Sequence, residues 1–124
     1  MSKAEQAVDL QHLDRYTGGN RAINEEILRL FDMQCREMLS TLDGLAAGET
    51  DAKSWRAVTH TLKGAARGIG AFALGDAAAA AEQAGSEKEA AVAALQRLRT
   101  TSAAVQLFIE DFLNSGALIG VATG

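Results

Sequence analysis

The chain carries two histidines, His12 and His60, and one cysteine, Cys35. These are the side chains best suited to nucleophilic or metal chemistry near neutral pH, and their surroundings decide which chemistry is open. The two histidines do not stand at i, i+4, so the spacing of a helical metal pair is missing. Cys35 has no ligand-type companions nearby in sequence and cannot form an intrachain disulfide. His60 is set differently. Lys53 and Arg56 precede it, and Lys63, Gly64 and Arg67 follow it. A neutral imidazole offers a free lone pair. Nearby cations disfavour imidazolium, which keeps more of the ring nucleophilic, and they would attract a phosphoryl group before and after a transfer. Gly64, one turn beyond His60, leaves room for an approaching partner. A glycine inside a helix costs roughly 1 kcal/mol relative to alanine, so its presence there invites a functional reason.

The cations are concentrated. Residues 51–70 balance to +3, with Asp51 the one acid, whereas the other residues sum to −7 within a net charge of −4. A cationic face on an acidic chain suggests an anionic ligand or partner patch. The overall charge argues against a general nucleic-acid binder. No apolar run approaches the ~20 residues of a membrane span, and the first residues lack a signal-peptide apolar region. The expectation is a soluble cytoplasmic protein that binds neither nucleic acid nor membrane.

The elements that must position His60 all read as helices. The chain has 124 residues, suiting a single domain over 1–124, and holds no proline. Alanine, leucine, glutamate and arginine are abundant, and all favour helix. Asp9 can cap a short first helix carrying Leu10, Leu13 and Tyr16, which the run Thr17 to Asn20 breaks. Asn20 can cap a second helix over about 21–45, with Ile23, Ile27, Leu30, Phe31, Met38, Leu42 and Leu45 as its apolar positions. A third helix starts at Thr50 or Asp51 and runs to about Arg67. Gly68, Ile69 and Gly70 make a tight connection. A fourth runs over about 71–84, its alanines at 77–81 permitting close backbone approach. Ser86 with Glu89 reads as a capping box opening a fifth, with Val92, Leu95, Leu98, Val105, Phe108, Ile109, Phe112 and Leu113 on its core-facing stripe. Residues 116–124 form an apolar, glycine-containing tail expected to be loose. Short loops between long amphipathic helices predict an all-α, up-down-up-down antiparallel four-helix bundle, with the short first helix across one end.

On the wheel of the third helix, Trp55, Val58, Leu62, Ala65, Ala66 and Ile69 fall on one side. His60 lies about 170° from the centre of that stripe, facing solvent. Trp55 reads as a core anchor, and Met33, Cys35 and Met38 as core or near-core residues. His12 reads as an ordinary, partly exposed helix residue, and Glu82 as an exposed helix charge or a packing neighbour. Gly64, Gly68 and Gly70 do not make a nucleotide loop, because no strand precedes them and no glycine-lysine-serine/threonine run is present.

The stretch His60-Thr61-Leu62-Lys63-Gly64-Ala65-Ala66-Arg67-Gly68-Ile69-Gly70-Ala71 resembles the signature of histidine phosphotransfer domains. That signature is histidine, any residue, leucine, lysine, glycine and, after a short gap, an aliphatic residue, glycine and a small or aliphatic residue. The likeness extends more weakly from Asp9 to about Glu82, and the last helix matches only as an amphipathic helix. Ala65 departs from the serine of many members. The resemblance implies that His60 accepts a phosphoryl group from a receiver-domain aspartate and returns it to another. It implies that Lys63 and Arg67 partly neutralise the phosphoryl charge and that Gly64 admits the partner's loop. It further implies no cofactor or metal on this chain, with Mg2+ on the receiver alone, and no ATP site. The implied partners are response-regulator receiver domains and the receiver of a hybrid histidine kinase; a monomer is expected, since the one chemical face needs no partner subunit to complete it. A helical module that binds receivers without transfer is the alternative, which His60 with Lys63 and Gly64 disfavours. A metal or redox bundle is more distant still, since the pattern holds no inward-facing carboxylate and histidine ligands.

Overall fold

The computed structural model describes residues 7–48 and 51–123, with side chains as far as Gly116. Among the described residues five helices follow one another: α1 (Leu10–Thr17), α2 (Arg21–Ala47), α3 (Ala52–Gly68), α4 (Phe72–Ala84) and α5 (Lys88–Thr123). Helices α2 to α5 pack in a closed ring, each against its chain neighbours and α5 back against α2, while α1 packs on α2. This is the all-α antiparallel bundle with an extra N-terminal helix that the sequence predicts. No described helix is long and apolar enough to cross a membrane.

The helix starts are set by side-chain caps. Asp9 accepts from the backbone amides of Gln11 (3.1 Å) and His12 (3.3 Å). Asn20 accepts from Ile23 N at 3.1 Å. Asp51 accepts from Lys53 N at 3.0 Å and from Ser54 Oγ at 2.7 Å, which fixes the start of α3; Thr50 lies outside the described residues. Each cap satisfies amides that the first helical turn leaves without partners. The fifth helix departs from expectation. Gly85 leaves α4 at φ 79°, ψ −170°, so the chain needs two further residues to turn. Helix α5 therefore begins at Lys88, with Glu87 O accepting from Ala91 N at 2.7 Å. Ser86 stands one residue too early for a capping box. At the other end α5 continues to Thr123, so the backbone of 116–123 is helical where the sequence reading places a tail.

The core is built from Leu28, Phe31, Cys35 and Leu42 of α2, Trp55, Leu62 and Ala66 of α3, Leu74, Ala77, Ala78 and Ala81 of α4, and Leu95, Leu98, Val105 and Ile109 of α5. Burial pushes the Cys35 thiol up to about 11. Several apolar residues that helical spacing assigns to the core lie outside it. Tyr16, Ile23, Leu30, Met33 and Val92 are exposed, because two neighbours and a core cover only part of a helix circumference and these positions fall beyond the covered arc. Thr59 is the reverse case. It is fully buried, its hydroxyl donating to Trp55 O at 2.8 Å.

Three hydrogen bonds hold α1 in place. Thr17 Oγ1 donates to Asn24 Oδ1 (2.6 Å), and Asn24 Nδ2 donates to Asp14 Oδ1 (2.8 Å). Asp9 N donates to Gly70 O at 2.9 Å, joining the start of α1 to the α3–α4 turn. Gly70 sits at φ +87°, and a Cβ there would lie 2.6 Å from Asp9 O. The conformation and the contact both demand glycine.

Candidate functional site

Helix α3 is anchored from inside. Trp55 is buried and its Nε1 donates to Ala81 O at 2.9 Å, which locks the first half of α3 against the second half of α4. Facing them are Ala66 on α3 and Gly75, Ala77, Ala78 and Ala81 on α4, all buried or tightly packed. Small side chains let the helix axes approach, so side chains on the seam's outer rim can reach across it.

His60 stands on that rim with its side chain 68% exposed, as its wheel position requires. Its Nδ1 lies 2.9 Å from Glu82 Oε2. Lys63 Nζ donates to the other oxygen, Glu82 Oε1, at 2.7 Å. One carboxylate therefore bridges the imidazole and the ammonium, each on its own oxygen. The bond from Lys63, reinforced by that from His60, holds the Glu82 carboxyl below the usual carboxylate range, with partial burial opposing. An ionised carboxylate at Nδ1 favours the tautomer that carries its proton there. That tautomer leaves the Nε2 lone pair free on an exposed ring edge.

The structure thus brings His60 and Lys63 together and adds Glu82, which is half-buried at 15% side-chain exposure rather than a free surface charge. Gly64 lies in open space; a Cβ there would meet nothing within 4 Å. The fold itself does not require glycine at this position. Arg67 is set apart. It lies seven residues, about 10 Å, further along α3, pairs with Asp76 at 3.5 Å and rests its stem on Gly75, where a Cβ would approach Arg67 Cγ to 2.7 Å. Ala65 packs against the core, so the missing serine hydroxyl is on a flank of α3 turned from His60. His12 is partly exposed between the rings of Tyr16 (5.3 Å) and Phe72 (5.1 Å), as expected of a packing residue. Among the described residues no three metal-binding side chains cluster.

Glu82 is the residue that sequence reasoning undervalued. A signal for it exists. Helix α4 holds two charged residues, Asp76 and Glu82, both acidic, while α3 is basic. Folding the chain back at Gly70 sets residue 82 within about a turn of residue 60, and 76 near 67.

The Hpt domain family model matches residues 26–113, and the chain belongs to that family. The match takes in most of α5, beyond the reach of the sequence likeness, and leaves out α1. Among solved structures, the chain is similar to the histidine phosphotransferase ShpA from Caulobacter crescentus, with 31% identity, a TM-score of 0.67, and coverage of 93% of this chain and 98% of that one. No curated protein sequence matches. The function is histidine phosphotransfer in a phosphorelay, and proteins of this family are phosphoryl carriers that partner receiver domains.

Proposed function

We propose that His60 is the phosphoryl acceptor and donor, that Glu82 and Lys63 hold it for the reaction, and that Gly64 admits the receiver. The observation carrying this reading is the exposed imidazole whose Nδ1 faces an ionised carboxylate. In the forward step the Nε2 lone pair attacks phosphorus of the receiver's phosphoaspartate. The P–Nε2 bond forms, the P–O bond to the aspartyl carboxyl breaks, and the aspartate leaves as carboxylate. Positive charge developing on the ring is stabilised by Glu82, which accepts from Nδ1–H throughout, so no proton needs to leave the ring. The return step reverses these bonds. Lys63 acts through Glu82, fixing the carboxylate that fixes the imidazole. Arg67 stands on the receiver's footprint, too far along α3 to meet the phosphorus directly.

Little else is asked of this chain. Phosphoryl transfer depends on alignment and charge stabilisation, and a receiver supplies Mg2+ and the aligned aspartate. The chain works as a single, cytoplasmic, monomeric carrier domain with no ATP site and no cofactor of its own. Its partners are response-regulator receivers and the receiver of a hybrid kinase, not nucleic acid or membrane.

The test is transfer from phosphorylated receiver domains to the purified protein. The expected product is acid-labile, base-stable and absent in His60→Gln, which keeps its helix content. Labelling of His60→Gln would overturn the assignment. Binding of receivers with no labelling of the native protein would replace transfer with simple docking.

A further inference from the structure

A phosphoryl group on His60 adds two negative charges where the signature's cations are already engaged. Lys63 is paired to Glu82, and Arg67 to Asp76. The charge must be met from elsewhere. Side chains on an α-helix lean toward its N-terminus, covering the turn before their own Cα. The His60 ring therefore overlies the turn that carries Arg56 and Ala57, not the one that carries Gly64 and Arg67.

An open cleft of about 510 Å³ lies on that side, lined by Ala52, Lys53, Arg56, Ala57, His60 and Glu82. Neither Lys63 nor Arg67 lines it. Arg56 is four residues, about 6 Å, before His60 on the same face, within reach of a guanidinium on its long stem. Among the described residues, no carboxylate lies within ion-pair distance of Arg56 or Lys53. Glu82 is the one acid in the lining, and both its oxygens are taken by His60 and Lys63. The small Ala52 and Ala57 leave the space open.

Building on the reading of His60 as acceptor, we infer that Arg56, backed by Lys53, forms an anion subsite that receives the phosphoryl group once it is on Nε2. The guanidinium fork matches two phosphoryl oxygens. It contributes only after the group arrives, so it favours the phosphohistidine over the receiver's phosphoaspartate and sets how the group is shared between them.

The experiment compares Arg56→Ala, Arg56→Lys and Arg67→Ala with the native protein. It measures transfer rate, the equilibrium phosphoryl ratio against one receiver, and the phosphohistidine 31P signal across pH. The charged groups around that signal are Lys53, Arg56 and Lys63 of α3 and Glu82 of α4. Loss of one charge-assisted contact is expected to shift the equilibrium toward the receiver by about five- to thirtyfold in Arg56→Ala. The second phosphoryl ionisation should move to higher pH, with partial rescue in Arg56→Lys. Arg67→Ala, whose guanidinium is paired to Asp76, should shift the equilibrium less than Arg56→Ala and move the 31P titration less. An Arg56→Ala protein with native equilibrium and native 31P titration would overturn the subsite. So would a larger equilibrium shift in Arg67→Ala. Either result is separable from failure of the His60 assignment, which His60→Gln labelling reports alone.

Discussion

Two seams of the four-helix ring are unlike. Between α3 and α4 the packing residues are mostly alanine and glycine, and the cross-helix contacts are polar: Trp55 to Ala81 O, Lys63 and His60 to Glu82, Arg67 to Asp76. Between α2 and α5 the filling is bulky. Leu28 and Leu42 of α2 share the core with Leu98, Val105 and Ile109 of α5, Phe108 and Phe112 stack along α5 at 6.4 Å, and the Arg21 guanidinium of α2 lies 4.2 Å from the Phe112 ring centroid. Arg99 with Asp43 closes the rim. A seam of small residues brings helix axes close enough for a glutamate on one to hold a histidine on the other. A seam of large residues supplies the apolar burial that keeps the bundle folded. Substitutions should separate these two duties.

The largest effect belongs to the bulky seam. Leu28 is fully buried, and Leu28→Ala removes buried methyl groups and leaves a cavity, at a cost of about 2–5 kcal/mol. Urea denaturation should show that loss, while transfer per folded molecule stays native. A transfer defect exceeding the unfolded fraction would mean that the far side of the bundle controls the site.

The two glycines of the signature divide the same way. Gly70→Ala must place a Cβ at φ +87°, against Asp9 O, and should cost about 1–3 kcal/mol by dislodging α1 from the α3–α4 turn. Gly64→Ala meets open space in a helix interior and should stabilise the fold by roughly 0.5–1 kcal/mol while slowing transfer. Thermal melts and transfer kinetics on the same samples check both signs. A Gly64→Ala protein that is more stable and transfers at the native rate would remove the argument that the glycine clears a path for the partner.

The legibility of the sequence follows the range of the interactions concerned. Caps at Asp9, Asn20 and Asp51 are local, and their residue types announce them. The exposure of His60 follows from one helix's periodicity. The signature itself covers His60 to Ala71, all on α3 and the turn behind it, whereas Glu82, twenty-two residues from His60, falls at the far end of the weaker likeness, which assigns it no contact. Its role depends on how closely two helices approach, which the alanines at 77–81 permit without saying which rim residues meet. Ile23, Leu30, Met33 and Val92 show the opposite difficulty. Helical spacing marks a side chain as apolar, but only the placement of neighbouring helices decides how much of the circumference they cover.

The finest distinction between the seams is how the polar one responds to acid. Glu82 is ionised below the usual carboxylate range because Lys63 and His60 hydrogen-bond to its charged form. A folded-state carboxyl that is harder to protonate than the unfolded one contributes stability above the unfolded-state value. That contribution fades as pH falls through the ordinary carboxylate range to the lowered folded value. Glu82→Gln lacks this contribution. The native protein should therefore melt slightly higher than Glu82→Gln at neutral pH, and the two melting curves should converge in acid. Arg99→Gln, on the bulky seam, provides the control for the general effect of losing a surface pair. The same Glu82→Gln protein should transfer more slowly at neutral pH, because its amide no longer carries the charge that stabilises the ring during attack. A melting difference that persists unchanged below the carboxylate range would assign Glu82 to packing alone. A native transfer rate would release His60 from any dependence on the second helix.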